Sequence, residues 1–118
     1  MDLNATKILG AEDASVVSME VPEWGGVLYI RVLDGPDRDA LAARLSAINA
    51  SGGQNPALAC AEIVARGVCS ASGEPLFSPQ QVGAIHRKNP VVLERVAMRV
   101  CEHNGMTAES HGAAVKNS

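Results

Sequence analysis

The chain has 118 residues, enough for one domain with a single core and too few for two. Aromatic residues are 3% against an apolar fraction of 47%, so that core must be built from Ala, Val, Leu and Ile. A net charge of -3, with no basic cluster beyond Arg87 and Lys88, argues against a general nucleic-acid binder, and no apolar run nears the ~20 residues of a membrane span.

The opening residues, "MDLNATKILGAEDA", have no clear period. They read as a loosely ordered arm with Ile8 and Leu9 as an anchor. They carry acids where a secretory signal carries bases, which points to the cytoplasm. Residues 16–21, "VVSMEV", alternate: Val17, Met19 and Val21 face one way, Ser18 and Glu20 the other. Pro22 ends this strand, and Gly25 and Gly26 give the connection its freedom in φ. A second strand, residues 27–33, puts Leu28, Ile30 and Val32 on one face and Val27, Tyr29 and Arg31 on a wetter one.

Four polar residues then stand just ahead of prolines, in Asp34-Gly35-Pro36, Asn55-Pro56, Ser78-Pro79 and Asn89-Pro90. Their side chains can accept from the unpaired N–H groups of a first helical turn, and proline there has no N–H to lose. The spacing predicts four helices. The first, about 36–50, carries the stripe Leu41, Leu45 and Ile48. The second, about 56–66, is nearly all apolar, with Glu62 and Arg66 on its wet face. Residues 67–77 read as a hairpin turning near Ser72-Gly73. The third helix, about 79–88, has Val82, Ile85 and His86 on one side. The fourth, about 90–104, carries Leu93, Val96, Ala97, Val100 and Cys101 at helical spacing and stops at Asn104-Gly105. The expected fold is α+β: a short β-hairpin, then about four helices, with a small second hairpin between the second and third. Residues 1–105 form the one expected domain, and 106–118 a disordered tail.

Chemistry is sparse. An odd set of cysteines, Cys60, Cys69 and Cys101, suits free thiols in a reducing compartment. With His86, His103 and His111 they show no metal-ligand spacing; Cys101 and His103, two apart on a helix, point about 200° apart. The glycines of "EWGGVL" lead into a strand and so form no phosphate cradle of the usual kind. No catalytic residue, metal site or cofactor is expected. An interaction surface remains, with Trp24, Tyr29 and Phe77 as its candidate partner-binding residues; for each, packing within the fold is the competing role.

The stretch "KILGAEDASVVSMEVPEWGGVLYIRVLDGPDRDAL", residues 7–41, resembles the first half of phage tail assembly chaperones of long, non-contractile-tailed phages and prophages. The likeness rests on Ile8-Leu9, Asp13, the run Val21-Pro22-Glu23-Trp24-Gly25-Gly26, Tyr29, Arg31, and the helix start Gly35, Arg38, Asp39. A second similar block is Gly73, Leu76 and Phe77 leading into the helix that ends at Lys88. The likeness covers about residues 7–105. Two features depart from it: "SASG" at 70–73 stands where relatives often carry acids, and the tail matches no family pattern. The resemblance implies a non-enzymatic protein of the host-cell cytoplasm, absent from the mature virion, that holds the apolar, helical tape measure protein soluble. It also implies contact with the tail tube protein through a frameshifted longer form. Homo-oligomers are compatible with it. The alternatives are a structural tail-terminator or head–tail connector subunit and a generic bacterial adaptor.

Overall fold

The structure is a computed structural model that describes residues 2–51 and 55–106. Its elements are α1 (Ala5–Gly10), β1 (Val17–Val21), β2 (Gly26–Ile30), α2 (Gly35–Ala50), α3 (Pro56–Gly67), β3 (Val68–Cys69), α4 (Val82–His86) and α5 (Pro90–His103). Short 3-10 turns precede β2, at Pro22–Trp24, and α4, at Pro79–Gln81. The fold is α+β, as the sequence predicts. His111 and the expected tail from 107 onward lie outside the described residues; Met106 packs against the core.

The hairpin register pairs Val17 with Ile30, Met19 with Leu28 and Val21 with Gly26. Directly paired residues share a face, so this face is the one that packs inward: Val21, Leu28 and Ile30 are buried, while Ser18, Glu20 and Val27 are exposed. The second predicted hairpin is tight. Ser70 N–H donates to the Glu74 carbonyl at 2.8 Å, Gly73 N–H to Ser70 at 2.9 Å, and Leu76 N–H to Val68 at 3.3 Å. Its first arm does more than the sequence suggests. As β3 it pairs antiparallel with β2 and completes a three-stranded sheet in the order β1-β2-β3.

The predicted caps form at Asp34, Ser78 and Asn89. Asp34 accepts from Asp37 N–H at 2.9 Å, and Asn89 from Val91 N–H at 2.9 Å. At Ser78 the cap is a reciprocal capping box, in which Gln81 Oε1 accepts from the Ser78 N–H at 2.8 Å; Asn55 makes no side-chain cap bond.

Helix α3 is the hub of the core and packs against α2, α4 and α5. Almost every residue from Ala59 to Gly67 is buried, including Glu62 at 3% exposure. Glu62 therefore does not mark a wet face, because α2 lies over it. One Glu62 oxygen accepts from Arg44 at 3.2 Å and the other from Arg66. A buried carboxylate is tolerable only when paired in this way. The contact at the end of α3 is closer still: a Cβ placed on Gly67 would lie 2.3 Å from Val100 Cγ1 of α5.

The end of α5 is clasped to the start of α2. Asn104 Oδ1 accepts from the Leu33 N–H at 2.7 Å, and its Nδ2 donates to the Arg31 and Val100 carbonyls at 3.1 and 2.9 Å. Arg38 in turn donates to the Asn104 carbonyl at 3.1 Å.

The opening segment differs from expectation. It is not shapeless, for α1 is capped by Asn4, whose Oδ1 accepts from Lys7 N–H at 2.9 Å. Nor do Ile8 and Leu9 anchor it: they are 57% and 87% exposed, and no residue of α1 is buried. The segment meets the domain at Ser15, whose carbonyl accepts from His103 Nε2 at 2.8 Å.

The three cysteines are free and buried. Burial pushes all three thiols up, Cys101 to about 11 with neighbouring Cys60 adding to the effect. Each is therefore a protonated, unreactive thiol near neutral pH. In the folded protein a disulfide reagent is expected to react negligibly during the time in which it titrates all three thiols in denaturant. A rapidly reacting thiol in the native protein would contradict this packing.

Candidate functional site

The connection from β1 to β2 begins with Pro22, whose fixed φ suits the first position of a 3-10 turn. Gly25 closes the turn at φ 82, a left-handed conformation that disfavours any other residue, and its N–H donates to the Pro22 carbonyl at 3.0 Å. Gly26 needs no such freedom, since it already belongs to β2. Between them the turn places Trp24 at the tip of the hairpin, 38% exposed.

The tip is fixed from outside by α5. Both Glu23 carboxylate oxygens accept from Arg95, at 2.6 and 2.8 Å. This bidentate pair, helped by a backbone hydrogen bond, lowers the Glu23 carboxyl from the ordinary 4.5 to about 2. The sign follows from linkage: a carboxyl depressed by folding contributes stability that is full above its unfolded value and lost as pH falls toward its folded value. Both partners are exposed, so the contribution is small and salt-screened. Wild type is therefore expected to melt slightly above Glu23→Gln near pH 6. That margin should shrink through the window from about 4.5 to about 2 and vanish at its lower end. A pH-independent margin in thermal melts would contradict the assignment.

Beneath Trp24 lies an apolar groove of about 260 Å³. Its floor is Leu28 of β2, Val64 of α3, Val68 of β3 and Ile85 of α4; its walls are Trp24, Leu76, Phe77 and Ala84. The floor is buried, whereas Leu76 is half exposed. Among the described residues the polar lining is Gln81 and Lys88, with no Asp, Glu, His or Cys. What the groove offers is apolar surface to cover. It is also smaller than the roughly 300–1,000 Å³ typical of small-molecule sites, a size suited to a few side chains of a partner.

Of the three residues singled out by sequence, Trp24 and Phe77 meet in this groove. Tyr29 does not. It lies on the face of β2 opposite Leu28, paired with Ser18 on one side and Cys69 on the other. Sequence reasoning did not find Leu28, Val64 or Ile85 as groove residues, since each reads simply as core. A second cleft, lined by Pro56, Ala97, Met98, Cys101 and Met106, carries Glu94 and Glu102 at its sides and no aromatic ring. Among the described residues no three His, Cys, Asp or Glu side chains come together as a metal site, and no helix is long and apolar enough to cross a membrane. Comparison with protein-family models, with curated proteins and with solved structures finds no match.

Proposed function

We propose that this protein is a phage or prophage tail assembly chaperone, a non-catalytic binder that takes apolar side chains of the tape measure protein into the Trp24–Phe77 groove. The observation that carries this reading is the groove itself. It joins the "VPEWGG" run and the Leu76-Phe77 block, the two stretches on which the family resemblance rests, in one apolar surface. An amphipathic helix presents anchors at i, i+3, i+4 and i+7, and a groove of this kind shields them from water. Many weak copies along one long chain gain avidity while each stays easy to displace by tube subunits. The setting is the host-cell cytoplasm. A longer, frameshifted form would recruit the tail tube protein.

The test is co-expression with the tape measure protein of the same gene cluster. Wild type is expected to keep that protein soluble and to co-purify with it. Trp24→Ala is expected to weaken binding by roughly 30-fold, the scale of an aromatic hot spot, with a fall in Tm of only a few degrees, since the indole is not fully buried. An insoluble tape measure protein, beside a chaperone that purifies alone, would overturn the reading and favour a connector role.

A further inference from the structure

A six-residue helix does not persist in water unaided, yet no residue of α1 is buried. Leu3, Ile8 and Leu9 stand 74%, 57% and 87% exposed. The same chain carries the open apolar groove under Trp24. Their charges are complementary: among the described residues the groove lining has Lys88 and no acid, while Asp2, Glu12 and Asp13 flank α1 and outnumber Lys7 within it. Their positions also differ. The segment leaves the domain at Ser15, held by His103 at the end of α5. The Trp24 turn is held by Arg95, eight residues earlier and so about 12 Å back along that helix.

We propose that α1 of one copy seats Ile8 and Leu9 in the Trp24–Phe77 groove of a second copy, joining copies head to tail. Such a contact is heterologous: it closes into a ring if the rotation allows and otherwise grows as an open chain. This goes beyond the tape measure reading and does not require it, although a partner helix would compete with α1 for the groove. Until one arrives, α1 keeps the groove covered.

The experiment is sedimentation velocity over a concentration series on the purified full chain alone, with circular dichroism to verify folding. Wild type is expected to associate as concentration rises. Leu9→Asp, altered only in the arm, and Leu76→Asp, altered only at the groove wall, are each expected to lower the association constant by ~10–100-fold, the equivalent of one large aliphatic side chain left unburied. Lys88→Glu is a second groove variant for the case in which Leu76→Asp misfolds. A 1:1 mixture of arm and groove variants should then restore association, because the mixture pairs an intact groove with an intact arm, but stop at pairs. Three results would overturn the proposal: a wild type monomeric throughout, variants that associate like wild type, or a mixture that fails to pair. A monomer whose Trp24 emission shifts in Leu9→Asp would also overturn it, by showing the arm in its own groove. No tape measure protein is present, so failure here leaves the proposed function standing, and failed co-purification leaves this proposal standing.

Discussion

Gly67→Ala is expected to destabilise the protein by about 2 kcal/mol, lowering Tm by roughly 8 °C. Two effects oppose each other. Alanine is the better helix former by up to ~1 kcal/mol, less at the last residue of a helix. Against this, the added Cβ would meet Val100 Cγ1 at 2.3 Å and Cγ2 at 2.7 Å. Val100 is fully buried and β-branched, with one preferred rotamer in a helix, so it cannot turn aside. Helices α3 and α5 must part instead, and they form the main contact of the core. The steric term wins. The check is a double-mutant cycle: with Val100→Ala in the background, Gly67→Ala should cost little, a coupling of ~1–2 kcal/mol. Additive losses would mean that the contact is not the cause.

Asn104→Ala is expected to cost about 3 kcal/mol, or roughly 12 °C in Tm, by calorimetry or denaturant titration. Its side chain makes three hydrogen bonds from a 9% exposed position, and truncation leaves the Leu33 N–H without its acceptor. An unmade bond at a buried amide costs more than the bond itself contributes. Asn104→Asp is an informative companion. It keeps the acceptor for Leu33 but sets a carboxylate oxygen against the Arg31 and Val100 carbonyls. Its stability should improve as pH falls and the acid gains a proton to donate. A loss below ~1 kcal/mol for Asn104→Ala would show that water replaces the side chain.

The parts of the fold legible in the sequence are those where one stretch carries its own period. Leu41, Leu45 and Ile48 in α2, and Leu93, Val96, Ala97, Val100 and Cys101 in α5, all face the core as their spacing predicts. The hairpin was legible because alternation in "VSMEV" and "GVLYI" survives in the register. What was not legible depends on neighbours distant in the chain. Glu62 looks solvated at i, i+4 from Arg66, and only the placement of α2 buries it. Asn104 looks like a helix stop, and its role as a clasp depends on Leu33 arriving beside it. The two residues of β3 are too few to carry a period. Helix α1 escaped notice for the opposite reason: it buries no stripe, so its cap at Asn4 was the only local sign. Of the site, the two aromatic walls were marked by composition alone. The floor is drawn from β2, α3, β3 and α4, and nothing local says that these meet under Trp24.

The Asn104 clasp also bears on the order of events in folding. Its bond to Leu33 spans 71 residues, one of the longest closures in the molecule. Closing so large a loop carries an entropy cost with no local contact to offset it until α2, α3 and α5 are already packed. The clasp is thus expected to form late, so that Asn104→Ala speeds unfolding more than it slows folding in stopped-flow measurements; a folding rate that falls as much as stability does would contradict this. Stability held in such contacts governs how long the native state lasts and has little bearing on how fast it forms. On that expectation the last turn of α5, tied to Ser15 through His103 and to Leu33 through Asn104, acts as a latch on the folded chain.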